Sequence, residues 1–489
     1  MMKKRIALLL VIAALLLTEG QMLISCGGET NTETTPSAGD TVDTSPDTTP
    51  AETELTPDIP DIRYDDEDFR MLYRYGSHAY NIEDIWVESL NGEVINDAVY
   101  NRNIALEEKF GLKLVPIEEK SPVSVLSKNV SAGDDFCEML ADRKLEMFPY
   151  TMQNMALDLN VLQYIDFTKP WWDGNVAEQM DIGGRLYMMV GDFNLNQTCG
   201  VTFMWFNKSM LTDYGFDAPY EAAIDGTWTI DMMLEMVNAV AVDLNGDGKM
   251  DANARYGFLS QVPYRLTTGF GVEMIERDED GYPVLAPMND RLVSAMEIVT
   301  KLMNDKEHVI SYEKISAGQD TSAYPHIYAY GRSKFVTDQI LFVEGGISMA
   351  EEVRDMESGY GILPMPKMDV EQDRYYNIVD EYAPAWIIPS SSTRYEMTDV
   401  VMEYMSYASS ALVDAVYEVT FKAKRMQAAE DAEMLDLIRA NTCYELTFIM
   451  NAGVRQMLEE AVGTGNIAST YEKNATKIQK TLDSFRVEE

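Results

Sequence analysis

The chain has 489 residues, 46% of them hydrophobic, and a formal charge of −42. Acidity on this scale repels nucleic acid and anionic lipid, and it suits a neutral ligand such as a sugar, or a cationic one. Cys26, Cys137, Cys199 and Cys443 show no CxxC spacing, and His78, His308 and His326 lie far apart. The sequence therefore supports neither a disulfide framework, nor a zinc site, nor a His-based triad.

At the amino terminus, Lys3, Lys4 and Arg5 precede the unbroken apolar run Ile6–Leu17. This is the pattern of a signal peptide, and the run is too short to cross about 30 Å of hydrocarbon. Leu23-Ile24-Ser25-Cys26-Gly27 matches a lipobox, although Thr18-Glu19-Gly20-Gln21 is an unusually polar interruption before it. Residues 1–25 are therefore expected to be removed and Cys26 to carry lipid. Residues 26–60, rich in Thr, Pro, Asp and Glu, bury too little apolar surface to offset their ordering and read as a disordered tether. The roughly 430 residues that follow exceed what one core usually serves, so two lobes are expected.

In chain order, Phe69–Tyr75 reads as a strand, Asp97–Phe110 as a helix closed by Gly111, and Leu112–Ile117 as a second strand. That β-α-β order predicts a parallel sheet. A Gly-Asp turn in Ala132–Asp142 feeds a third strand, with Arg143 just beyond its carboxyl end, where open parallel sheets hold ligands. Arg185–Val190 is strand-like; the polar segment GDFNLNQT and the apolar run Val201–Phe206 follow. A strand, a polar crossing and another strand are what a hinge between two α/β lobes requires.

Thr229 is placed to cap a helix continuing to Ala241. Asp243, Asn245, Asp247, Lys249 and Asp251, with Gly248 at the sharp-turn position, fit the front of a calcium loop, but Ala254 stands where a bidentate glutamate is usual. A weakened structural Ca²⁺ site is the expectation, with an acidic turn that forms by itself as the alternative. Further on, Arg277–Leu285 reads as a hairpin, Asp290–Met303 as an amphipathic helix, and Gln339–Met349, Tyr360–Lys367 and Asn377–Pro389 as strand-like segments. The remainder is expected to be mostly helical, with good periodicity at Met397–Met405 and Met426–Met450.

The lipobox, the acidic tether and the segments PWWD, GDFNLN, FNKSML, DGTWT, DLNGDGKMDANARYGF and YGILPMPK together resemble the extracellular solute-binding proteins of ABC importers, in their carbohydrate-binding branch. The resemblance implies an α/β, two-lobed, periplasmic-binding-protein-like (type II) fold with a hinged interlobe cleft. It places chain crossings near Asp192–Gln197, Glu344 and Asp380–Tyr382. The expected lobes are 61–195 plus 344–380, and 196–343 plus 381–489. It further implies a monomer on the outer face of the cell membrane, delivering a carbohydrate, expected to be an oligosaccharide, to a permease. No cofactor for chemistry is expected.

Sugars need flat apolar rings against their pyranose faces and planar polar groups for their hydroxyls. Trp171, Trp172, Tyr382 and Trp386 are the candidate stacking residues. Asp192, Asn194, Asn196, Glu344, Asp380 and Glu381 are candidate hydrogen-bond partners, and Arg143 a donor. If extended, Trp171-Trp172 send their rings to opposite sides, so at most one faces the cleft. Two alternatives stay open on the sequence: a lipid-anchored glycoside hydrolase using paired carboxylates, and an adhesin or sensor that binds glycan without transporting it.

Overall fold

The computed structural model describes residues 55–74 and 83–486, apart from Pro263 and Lys424. The expectations for the signal peptide, the Cys26 lipid anchor and the tether up to residue 54 lie outside the described residues.

Strand β1 (Asp68–Arg74), helix α1 (Val94–Phe110), strand β2 (Lys113–Glu119), helix α2 (Pro122–Ala132) and strand β3 (Met139–Arg143) follow one another as two β-α-β units. Gly111 closes α1 in the left-handed conformation (φ 59°) and its N–H returns to Glu107 O, which turns the chain straight into β2. β1 pairs in parallel with β2 and β3, and Tyr73 sits opposite Glu118 on one side and Ala141 on the other. Helix α3 (Lys144–Thr151) leaves the carboxyl end of β3 directly.

The chain crosses at helix α4 (Leu195–Cys199) into β4 (Thr202–Asn207), a strand buried on both faces. Helix α5 (Ile230–Val240) follows, then β5 (Tyr256–Ser260), α6 (Tyr264–Gly269), β6 (Val309–Ser311), β7 (Ile340–Gly346) and β8 (Tyr360–Leu363). These strands form a five-stranded sheet in the order β8-β4-β7-β5-β6, in which β4 runs antiparallel to both its neighbours. Phe342, Phe206 and Trp228 pack ring to ring beside β7. The hairpin Ile275–Arg277 with Pro283–Leu285, and the helix Asp290–Asn304, stand where the sequence places them.

The chain then returns through β9 (Asn377–Ile378) to β10 (Pro384–Ile387), which joins the first sheet antiparallel to β3 and gives the order β10-β3-β1-β2. Helix α7 (Tyr395–Ala408), helix α8 (Ala429–Ala440) and strand β11 (Thr442–Cys443) come next, and β11 pairs with β9.

One expectation is corrected here. Glu344 is not at a crossing but inside β7, opposite Met204 of β4. β7 and β8 therefore belong to the five-stranded sheet and β10 to the four-stranded one, so the sheets do not follow the boundary drawn between 344–380 and 381–489. Met426–Met450 is mostly helical, as expected, at Ala429–Ala440 and Leu446–Ile449, with β11 between the two helices. Asn377 Nδ2 donates to the carbonyls of Ile438 and Asn441, and the chain there turns into a strand alongside β9.

Candidate functional site at the chain crossings

Three stretches meet between the two sheets. The first, Gly191–Val201, and the second, Val379–Ala383, touch through an antiparallel bridge of Val201 with Val379. The third, Thr442–Tyr444, is held to the second by β9 and β11. Where they meet lies a cavity of about 250 Å³. Its wall includes Trp172, Asp173, Asp192, Gln197, Thr198, Tyr417, Arg439 and Tyr444.

The turn that opens the first crossing is tightly made. Asn194 N donates to Gly191 O at 2.8 Å and Gly191 N to Asn194 Oδ1 at 3.1 Å. Gly191 is required there, since a Cβ would strike Ser406 Oγ and come within 2.8 Å of the Trp172 ring. Asp192 N donates to Trp171 O, and Asp192 Oδ2 accepts from Ser410 at 2.9 Å. Burial pushes the Asp192 carboxyl up to about 6, against the lowering effects of the Ser410 bond and Arg439; Asp414 and Asp173 add to the rise.

Trp171 and Trp172 lie in a turn rather than a strand, and both indoles donate to Glu403, at 3.1 and 2.7 Å. Trp171 then packs edge-on against Tyr407, while Trp172 reaches the cavity. Only one of the pair faces it. Tyr444 closes the opposite side, its hydroxyl donating to Asp173 at 2.5 Å.

At the second crossing, Arg265 pairs with Asp380 at 2.8 Å. Glu381 is buried and accepts from Arg455 and the Tyr264 hydroxyl, both at 3.4 Å. Tyr382 is exposed, with the Arg143 guanidinium 5.4 Å over its ring, and Arg143 also pairs with Glu146. Lys144 is wholly buried between the crossings and donates to Gln197 Oε1 (2.7 Å), Ala383 O (2.9 Å) and Asp380 O (3.2 Å). Burial pushes its ammonium down to about 7, opposed by Asp380, Glu381 and Asp173.

Of the residues chosen from sequence, Trp172 and Asp192 line the cavity, while Arg143, Asp380 and Tyr382 gather at the second crossing. The others have structural places. Trp386 is fully buried beside Trp172 and Phe193, with no ring face left for a sugar. Asn194 forms the turn, and Asn196 is buried with its N–H on Asp84. Glu344 accepts from the Gln261 and Val262 amides, fixing the loop after β5. In the acidic loop, the side-chain oxygens of Asp243, Asn245 and Asp247 accept from amides of the same loop. Among the described residues, no group of three His, Cys, Asp or Glu side chains is placed to hold a metal ion.

Sequence reasoning missed Lys144, Gln197, Tyr417, Arg439 and Tyr444. Gln197 fell inside the expected crossing; the others carry no local signal, because a lysine, an arginine or a tyrosine in a helix, or a tyrosine just after a short strand, reads as surface or core.

Solved structures share the fold. An ABC substrate-binding protein from Listeria monocytogenes in complex with cycloalternan is 12% identical, covers 86% of this chain and all of its own, and has a TM-score of 0.54. The sugar-binding protein MalE from Xanthomonas citri is also 12% identical, with 85% and 97% of the two chains covered and a TM-score of 0.55. This is the two-lobed fold of ABC sugar-binding proteins. RafE from Streptococcus pneumoniae has it too, at 12% identity, 87% and 99% coverage and a TM-score of 0.52. No family model matches the sequence, and no curated protein sequence matches it. Within this fold, the cavity lies at the chain crossings. Among the described residues, no helix is long and apolar enough to cross a membrane.

Proposed function

We propose that this protein captures a carbohydrate outside the cell, tethered through lipid on Cys26, and hands it unaltered to the permease of an ABC importer. The observation that carries this reading is the cavity at the crossings. It combines an indole, two phenol rings and the planar polar groups of Asp173, Asp192, Gln197 and Arg439. Aromatic faces with convergent planar donors and acceptors are the chemistry a pyranose needs. Ligand that touches both lobes favours their closed arrangement by its differential affinity, and the closed form is what a permease would read. The neighbours in fold that are named as sugar-binding proteins support the substrate class.

A thermal-shift screen of the protein against neutral mono- and oligosaccharides tests this. At least one saccharide is expected to raise Tm in a concentration-dependent way, and a flat response across the panel would refute the reading. One observation favours a second reading, glycoside hydrolysis: Asp173 and Asp192 share the cavity wall, and burial raises Asp192. Chromatography of oligosaccharide incubated with the protein separates the two, and intact oligosaccharide is the expected result.

A further inference from the structure

We infer that the hairpin Ile275–Leu285 is a clasp between the lobes, with Arg277 as the positioning residue that holds the Asp173 side of the cavity. The link to the cavity rests on the carbohydrate-binding reading. The hairpin belongs to the second lobe, since it lies between β5 and β6 in the chain. Its base is tied to the helix Ile467–Asp483, where Leu285 N donates to Gln479 Oε1 at 2.9 Å and the Tyr471 hydroxyl to Ala286 O at 2.7 Å. The segment it meets, residues 178–185, belongs to the first lobe. Just beyond it, Leu186 O accepts from Leu159 N, and Met189 bridges to Trp386 of β10.

The contact is specific. The last carbonyls of a helix have no partner within it. At the end of the helix Gly174–Met180, the carbonyls of Glu178, Gln179 and Asp181 all accept from the Arg277 guanidinium, at 2.7 to 3.3 Å. One cation of the second lobe thus caps a helix of the first, at the end where the helix dipole favours positive charge. Beside it, Gly183 N donates to Gly281 O at 3.1 Å. Gly183 has a φ of 59°, and a Cβ there would lie 2.4 Å from the Tyr282 ring, so glycine is what lets the hairpin lie this close. Arg486 steadies Tyr282, its guanidinium 5.0 Å over the ring and paired with Asp278.

The same helix reaches the cavity at its other end. Asp173, its N-cap, is part of the cavity wall and accepts from the Tyr444 hydroxyl. Gln179 Oε1 accepts from Tyr444 N at 2.7 Å. The helix is therefore held by the third crossing and capped by Arg277, and the cavity wall is complete in the clasped arrangement. Releasing the clasp frees the lobes to part. Arg277 itself touches no ligand.

The test reads lobe separation by fluorescence energy transfer. Cys137, Cys199 and Cys443 are buried, and Cys26→Ser removes the remaining thiol. Dyes go on Lys128→Cys of α2 and Lys301→Cys of the helix Asp290–Asn304, both exposed. Without sugar, Arg277→Met and Gly183→Ala are each expected to lower the ratio of clasped to parted molecules about tenfold, the size of one hydrogen bond to a charged group. Unchanged transfer in both variants would overturn the clasp. Calorimetry with maltotriose and mannotriose is expected to show binding weakened by the factor by which the clasped fraction falls. Tighter binding, or unchanged affinity beside a reduced clasped fraction, would overturn the link to the cavity. Should the wild type bind neither sugar, the carbohydrate reading is what fails, and energy transfer still decides on the clasp.

Discussion

Glu403 receives two buried indoles at once, and Asp166 N besides. Burial raises its pKa, and the three donors oppose that rise. Replacing it with alanine strands two indole N–H groups in the interior, so Glu403→Ala is expected to lower stability by about 3 kcal/mol. Urea unfolding followed by tryptophan fluorescence measures this directly. Asp192 makes a prediction in pH. Its folded pKa, about 6, lies above the ordinary aspartate value, so folding favours the protonated form. The stability this provides is fully present below about pH 4 and is lost as pH rises through 6. Asp192→Asn should therefore gain about 2 kcal/mol on wild type between pH 4 and pH 8 in paired denaturation curves; parallel curves would contradict the burial argument. Lys144 moves the other way. Its value is depressed, so between about 7 and its ordinary range wild type should gain stability on Lys144→Met with rising pH. Trp172 and Asp192 were singled out as an aromatic ring and a carboxylate beside a polar crossing, and both line the cavity. Lys144 was not, because nothing in ADRKLEMF separates a lysine held by backbone carbonyls of a segment more than two hundred residues away from one in water.

At the scale of elements, two glycines set how closely segments approach. Gly191 brings the first crossing against Ser406 and Trp172, and Gly257 lets α5 lie on β5 with its would-be Cβ inside the Val237 backbone. Neither neighbour can step aside cheaply, so Gly257→Ala is expected to cost at least about 2 kcal/mol and to loosen α5, seen as faster amide exchange in residues 230–240. Wild-type stability in that variant would show that the helix has room to shift. The strands β1 to β4 were readable because each carries its own apolar run between turn signals. β11 was not: it is two residues long and exists only through β9, a pairing across more than sixty residues that no local pattern encodes. The misplaced crossing at Glu344 has the same origin. A strand that ends in Gly345-Gly346 looks alike whether the chain leaves the sheet there or, as here, continues within the same lobe through β8.

For the whole molecule, alternating β and α elements, too many residues for one core and a polar crossing were enough to anticipate two α/β lobes, and solved structures share that fold along most of the chain. Which sheet each carboxyl-terminal segment joins was beyond the sequence, since membership is decided by register against β3 and β4. The formal charge of −42 leaves the molecule suited to neutral ligands. The most direct check of the central claim is calorimetric titration of the protein with neutral oligosaccharides, followed by chromatography of the recovered sugar. Saturable binding of at least one oligosaccharide at one site per chain, with the sugar recovered whole, is the predicted result. Absence of binding to every neutral saccharide, or recovery of the sugar in fragments, would contradict it.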